Sequence, residues 1–262
     1  MPPTTRAGGS GSAPLNTQER EVATRWADPA AKEQWYEGGM KYWTECEASN
    51  NGVLGGFEKV HDADTADTLR FVQKLSERFP DVVATRDPGR PAPGTRAIDM
   101  GAGVGRVTEA VLLDLCEKVD LLEGARPLIE AAQRNLKARA TRMGEFMCAP
   151  MQSFAPEPAT YHLIWFQWVI GSLTDDDLVA LLMRCRTALA PGGIIVVKDN
   201  ICEEDPDKHS RYIVDDEDNS VMRTKAYLEQ ILVSRCGLTI LYQTKAKLRC
   251  EELHPVQTYA LR

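Results

Sequence analysis

An α/β fold with a doubly wound sheet is predicted by three features of this 262-residue chain. From residue 96 onward, short apolar runs alternate with segments of helical periodicity. A glycine-rich turn joins the first run to the helix after it. One run, residues 194–197, is apolar on both faces, as a central parallel strand should be. A stretch of helical pattern precedes all of this, so the sheet should carry a helical N-terminal extension.

In chain order, residues 1–15 are rich in Gly, Ser, Pro and Thr and cannot bury enough apolar area to offset their ordering entropy. They are expected to form a flexible tail. Residues 18–42 read as helical: Val22, Trp26 and Ala30 recur four apart, followed by Trp35, Met40 and Trp43. The segment 48–58 breaks the pattern, and Gly55-Gly56 after Val53-Leu54 marks a loop with a sharp turn or a close approach. A further helix is expected at 63–78, with Leu69, Val72 and Leu75 inward. Residues 85–95 hold three prolines and two glycines, an exposed connection. Strands follow at 96–100, 119–122, 145–148, 161–166, 194–197, 238–242 and 256–261. Between them lie a helix carrying Val107, Val111 and Leu115, one at 126–140, and one opened by Thr174 with Asp175, Asp176 and Asp177 behind it. A hydroxyl at the N-cap and carboxylates in the first turn satisfy free amides and oppose the helix dipole. Pro191-Gly192-Gly193 stops that helix, and a last one is expected from 219 to 235, ending at Gly237. This divides the chain into a tail (1–15), a helical extension with the glycine loop (16–95) and a main domain (96–262).

Composition narrows the function. Apolar residues make up 43% and charged residues 26%, which excludes collagen-like, coiled-coil and largely disordered chains. With 31 basic and 38 acidic side chains the net charge is −7, which disfavours nucleic acid as a partner and favours a cation. No apolar run approaches the ~20 residues of a membrane span, and the start has no apolar core of a signal peptide. Seven cysteines without C-x-x-C spacing read as reduced thiols, so a cytoplasmic or nuclear location is expected. The four histidines lie far apart in sequence, so no metal site is expected.

Three clusters carry chemistry. Asp99-Met100-Gly101-Ala102-Gly103-Val104-Gly105-Arg106 lies between a strand and a helix, where glycines admit a ligand to the backbone and the helix start offers free amides. Its G-x-G-x-G spacing differs from the dinucleotide fingerprint G-x-G-x-x-G. Glu123 closes the next strand, where a carboxylate can accept from ribose hydroxyls. Together these indicate a nucleoside cofactor, against the alternative of a tight turn with an incidental acid. The second cluster, Ile164 to Gly171, brings Gln167 and Trp168 to the ligand-binding edge; an aromatic packing patch is the competing reading. Asn200 reaches the same edge from the 194–197 strand. The third is Asp215-Asp216-Glu217-Asp218-Asn219-Ser220, either a solvated helix start or a negative pocket for a cation.

The glycine spacing resembles motif I of class I S-adenosylmethionine (SAM) methyltransferases, with Glu123 similar to their ribose-binding acid. WFQWVIGSLTD, IIVVKDN, VDDEDNSV and TYALR, with KYW and GVLGGFE before them, resemble the protein α-N-terminal methyltransferase family. The match runs from about residue 36 to 262 in the expected order. It implies a seven-stranded Rossmann-like class I sheet, SAM as cofactor with S-adenosylhomocysteine as product, and methylation of free α-amines. The substrates would be proteins beginning X-Pro-Lys or X-Pro-Arg, which take up to three methyls, or two when proline is first. By the same resemblance SAM contacts fall on Gly101, Arg106, Glu123, Gly124, Ala125, Met151, Gln152 and Gln167. Arg106 would meet the methionyl carboxylate and Gln152 the adenine. Peptide contacts fall on Trp43, Leu54, Gly55, Trp168, Asn200, Asp215, Asp218 and Ser220. Asp218 would accept the amine proton, Asn200 would hold the first residue, Leu54 would pack on the proline, and Asp215 with Ser220 would read the lysine. Two positions depart from the family: Ser172 stands for its histidine and His254 for its C-terminal tyrosine. A monomer acting on protein N-termini, without nucleic acid or membrane, is expected. The alternatives are a methyltransferase of a small cationic metabolite and a non-catalytic methyltransferase-like binding subunit; a nicotinamide reductase is disfavoured by the glycine spacing.

Overall fold

A computed structural model describes residues 16–79, 91–203, 210–248, 250 and 252–262. The tail at 1–15 and the first half of the 85–95 connection lie outside the described residues. Seven strands form one sheet in the order β3-β2-β1-β4-β5-β9-β8. They are β1 (Ala92–Met100), β2 (Cys116–Glu123), β3 (Met143–Cys148), β4 (Tyr161–Gln167), β5 (Leu189–Asn200), β8 (Ile240–Lys245) and β9 (Val256–Leu261). β1 to β5 run parallel; helices link β1 to β2, β2 to β3 and β4 to β5, and a loop with a short turn at Met151–Ser153 links β3 to β4. β9 runs antiparallel to both neighbours. The sheet is therefore mixed, where alternation alone suggests a parallel one. β8 and β9 are neighbours joined by residues 246–255, shorter than the roughly dozen residues a parallel crossover needs, so the return is antiparallel.

Strand alternation sends side chains to two cores. Ala97, Val119, Leu121, Leu163, Trp165, Ile194 and Val196 pack on one face against Phe71, Leu75 and Val111. Ile98, Met100, Leu122, Ile164, Phe166, Ile195 and Val197 pack on the other against Leu178, Leu181, Leu182 and Ile231. Register pairs Met100 with Leu122 and Phe166, and Gln167 with Lys198, so the carboxyl ends of β1, β2, β4 and β5 meet at one edge. That edge is where an open α/β sheet binds ligands.

The N-terminal helical pattern divides at Asp28 into α1 (Thr17–Ala27) and α2 (Pro29–Glu45). Pro29 sits at the first helical position, where its missing N–H is no loss, and the Asp28 carboxylate accepts from Ala31 N. A short helix α3 (Asn50–Val53), the glycine loop and α4 (His61–Arg78) follow. The helix after the glycine turn contains a wider turn at Thr108–Leu112, then α5 (Leu113–Leu115). Helices α6 (Arg126–Asn135) and α7 (Asp175–Ala188) flank the sheet, with Thr174 capping α7 as expected.

The acidic run corrects the sequence reading. It is the turn of a β-hairpin, β6 (Tyr212–Asp215) paired with β7 (Ser220–Arg223), and not a helix start. The Asp215 carboxylate accepts from Glu217 N in an Asx turn, and Asn219 adopts φ 53°, a conformation Asn tolerates. Acids before an apolar pattern fit either a helix start or such a turn; Tyr212-Ile213-Val214 and Val221-Met222 decide for strands. The helix begins later, as α8 (Lys225–Glu229), capped by Thr224 and continued by a wider turn at Gln230–Arg235 to Gly237. Among the described residues no helix is long and apolar enough to cross a membrane.

Candidate active site

The glycine turn after β1 opens a cavity at the carboxyl edge of the sheet. Gly101 and Ala102 donate their amides to Leu122 O, which ties the turn to β2. Gly101 adopts φ 70°, and a Cβ there would stand 2.3 Å from the Val169 side chain, so only glycine fits. Glu123 ends β2 with its carboxylate accepting from Gly103 N at 2.9 Å and Ala125 N at 2.8 Å. Burial pushes its carboxyl up, while those amides favour the charged form. Its remaining lone pairs can accept from hydroxyls in the cavity. Asp99, also lining the cavity, holds Thr108 Oγ1 at 2.7 Å, and burial pushes its carboxyl up to about 6.

Arg106 and Gln167 form the polar wall. Arg106 Nη1 lies 2.8 Å from Asp64 Oδ2 and 3.3 Å from His61 Nδ1, with the guanidinium carbon 5.3 Å from the Trp168 ring centre. Both polar contacts use Nη1 of a group with five N–H donors, which leaves donors for an anion. Gln167 Nε2 donates to the same Asp64 oxygen at 2.7 Å and its Oε1 accepts from Trp165 Nε1. Lys198 Nζ stands 2.5 Å from Asp64 Oδ1. Burial works against the Asp64 carboxylate, but Lys198 and Arg106 more than offset it and hold the carboxyl below its usual range.

Trp168 stands at φ 54°, a left-handed conformation that strains a bulky residue. Its neighbours hold it there: Trp168 N donates to Lys198 O, and the buried Asp199 carboxylate accepts from Val169 N and Ile170 N, both at 3.0 Å. Burial pushes Asp199 up to about 6 against these amides. The opposite wall is α2, which brings Trp35, Tyr36, Met40 and Trp43 to the cavity. Trp35 Nε1 donates to Ser172 O, and Tyr36 OH to Asp177 Oδ2, so α2 is fastened to the segment leading into α7. The hairpin turn closes the mouth: Asn219 lines the cavity and donates to Trp35 O. Asp218 beside it is half-buried, with its Oδ1 lacking a partner. Burial raises its carboxyl, Asp215 adds to this, and Ser220 opposes it.

Of the residues singled out in sequence, Gly101, Arg106, Glu123, Gly124, Met151, Gln152, Gln167, Trp43 and Trp168 line this one cavity. Ala125 lies behind it, fully buried, its amide on Glu123. Leu54, Gly55, Asn200, Asp215, Asp218 and Ser220 stand outside the lining. Ser172 lines the cavity and His254 does not. Asp64 and Lys198 received no role in sequence. A signal existed: Asp64 and Thr68 extend backward the stripe of Phe71, Val72 and Leu75 at helical spacing, a charge on a buried face. Lys198 likewise follows the apolar run 194–197 within β5 and is fully buried.

A family model described as AdoMet-dependent proline di-methyltransferase matches residues 31–262. The chain belongs to this family. Among relatives, an Arabidopsis thaliana alpha N-terminal protein methyltransferase 1 is 38% identical, over 89% of this chain and 82% of the relative. A Danio rerio N-terminal Xaa-Pro-Lys N-methyltransferase 1 is 37% identical, over 87% of this chain and 95% of the relative. A solved SAM-dependent methyltransferase from Leishmania major aligns with TM-score 0.78 at 29% identity, covering 98% of this chain and all of that one. The fold is that of class I SAM-dependent methyltransferases. The chemistry of the lining fits the family's cofactor: the Glu123 carboxylate can accept from hydroxyls, the Arg106 guanidinium has donors for a carboxylate, and Leu128 and Met151 offer apolar wall.

Proposed function

We propose that this enzyme methylates the free α-amine of proteins that begin Xaa-Pro-Lys or Xaa-Pro-Arg, using SAM. The observation that carries this is the placement of an acidic hairpin turn at the mouth of a SAM cavity walled by tryptophans. The Danio rerio relative, an N-terminal Xaa-Pro-Lys N-methyltransferase by name, supports the same reading. The cofactor supplies an electrophilic methyl on a sulfonium. The α-amine has an ordinary pKa of about 7.7–8.0 and is partly protonated near neutrality. Only its neutral lone pair can form the N–C bond as the C–S bond breaks. Asp218 accepts the amine proton; its raised carboxyl and unpartnered Oδ1 suit that task. Asn200, at the end of β5, holds the first residue. Trp43 and Trp168 wall the channel, and Leu54 with Gly55 receives the proline ring. Asp215 and Ser220 receive the lysine or arginine at the third position. Arg106, Glu123 and Gln167 fix the cofactor, so the reaction is chiefly one of positioning. The protein acts as a monomer in the cytoplasm or nucleus, without nucleic acid; the scattered cysteines, with no C-x-x-C spacing, accord with a reducing compartment.

The test is mass spectrometry of an Xaa-Pro-Lys peptide and its N-acetylated twin, each incubated with protein and SAM. Methyl gain on the free peptide alone is expected. Equal methylation of both peptides, or of neither with SAM bound, would overturn the reading.

A further inference from the structure

Beneath the cofactor cavity lies a buried charge cluster whose members Asp64, Asp67 and Lys198 have no part in the proposed reaction. Its centre is Asp64, in the first turn of α4 and 1% exposed. One oxygen, Oδ2, accepts from both Arg106 Nη1 at 2.8 Å and Gln167 Nε2 at 2.7 Å. The other, Oδ1, faces Lys198 Nζ at 2.5 Å. Lys198 also donates to Thr68 Oγ1 at 2.8 Å and lies 3.6 Å from Asp67 Oδ2. Gln167 and Lys198 are register partners on β4 and β5, so both side chains leave the sheet on the face that α4 covers.

Burying such a pair is expensive and seldom stabilises a fold relative to apolar packing. What this one does is geometric. Arg106 comes from the helix after the glycine turn and Gln167 from the end of β4, yet a single carboxylate oxygen fixes the distance between them. These are also the members of the cluster that line the cavity. A free arginine would lose rotamer freedom on meeting a ligand; one already held by Asp64, and covered by Trp168, loses less.

We propose that Asp64 is the positioning residue for the methionyl end of the cofactor, aiming Arg106 and Gln167 into the cavity, with Lys198 as its fixed counter-ion. This rests on the assignment of Arg106 to the methionyl carboxylate. In Asp64→Asn the carboxylate charge is lost and one of its two oxygens becomes an amide N–H that faces Lys198, Arg106 or Gln167, all donors, while the shape is kept.

The test is calorimetry on the full-length protein with SAM and with decarboxylated SAM, which keeps the sulfonium and lacks the carboxylate. Wild type should favour SAM, and Arg106→Ala should abolish that preference. Asp64→Asn should weaken SAM about tenfold, leave the decarboxylated ligand within about twofold, and add nothing to the preference already lost in Arg106→Ala. Should Asp64→Asn not fold, Asp64→Glu keeps the charge but moves the acceptor by one methylene, and should lower the preference at least threefold. Equal loss for both ligands in Asp64→Asn, or an unchanged preference in Asp64→Glu, overturns the role of Asp64 alone. A wild type that binds both ligands equally, or an Arg106→Ala variant that keeps the wild-type preference, overturns the Arg106 assignment, and the proposal with it.

Discussion

The two halves of the site are built differently. The cofactor half lies on strand ends: Gly101 after β1, Glu123 ending β2 and Gln167 ending β4, each tied to its neighbours by buried hydrogen bonds. The peptide half is assembled from additions to the sheet: the α2 wall, the Leu54–Gly55 loop and the β6–β7 hairpin. Strand-end positions are set by a core with almost no exposed surface and cannot shift singly. Hairpin and loop positions depend on a few contacts, such as Asn219 to Trp35 O. Changes in the cofactor half should therefore act on SAM affinity. Changes in the peptide half should leave it intact and act on peptide turnover or affinity.

The largest effect expected from the peptide half is that of Asp218→Asn, which keeps shape and removes the base. kcat should fall by about 10²–10⁴ at neutral pH, with SAM affinity unchanged in calorimetry. Raising the pH should restore part of the loss, because more amine then arrives neutral. Stability should move the other way. The Asp218 carboxyl is raised in the folded state, so the fold binds its proton more tightly than the unfolded chain does. The group's contribution is present below the usual carboxylate range and is lost as pH rises through the raised value. Asp218→Asn should thus melt no lower than wild type at neutral pH, and the gap should close in acid. Full activity at neutral pH would reduce the hairpin acids to a solvated turn.

What the sequence made legible follows the same division. The glycine turn, Glu123 and Gln167 stand where apolar strand patterns stop, and a strand end is itself an address on the sheet edge. Trp35, Met40 and Trp43 were visible as an apolar helix face, but which surface that face covers is a long-range fact. The hairpin is not legible because acids ahead of Val221 satisfy helix-start and turn rules alike, and hydrogen bonding across β6 and β7 decides. The antiparallel direction of β9 leaves no trace in its own residues. Asp64 and Lys198 are hard to read because a charge on a buried stripe looks like an interruption until its partner across the core is known.

A middle-sized effect is expected at Gly38, on α2. A Cβ there would stand 2.0 Å from Asn219 Nδ2, the atom that donates to Trp35 O. Gly38→Ala therefore pushes the Asn219 side chain off its bond and loosens the turn at the cavity mouth. Alanine also favours the helix by about 1 kcal/mol over glycine, which offsets the lost hydrogen bond of about 1 kcal/mol. The melting temperature should hardly change. Peptide KM should rise about five- to tenfold with SAM affinity unaltered; a SAM affinity that falls equally would mean the two halves are mechanically one.

The smallest effect belongs to Asp215→Asn. Asp215 is exposed, and its Oδ1 accepts from Glu217 N to shape the turn. Asparagine retains a side-chain oxygen for that bond and tolerates turn conformations, so the hairpin should survive. The change then removes one charge from the receptor for the third-position lysine. An exposed ion pair contributes about 0.2–1 kcal/mol, so peptide KM should rise by at most about fivefold, with kcat held. The penalty should shrink in high salt, which screens exposed charges. It should also vanish when the third-position Lys is replaced by Gln, since the mutated group then has no charge to meet. Steady-state kinetics with the two peptides gives the coupling directly. A penalty that persists with Gln at the third position would show that Asp215 acts by shaping the turn that carries Asp218, and would move it from reading the substrate to positioning the base.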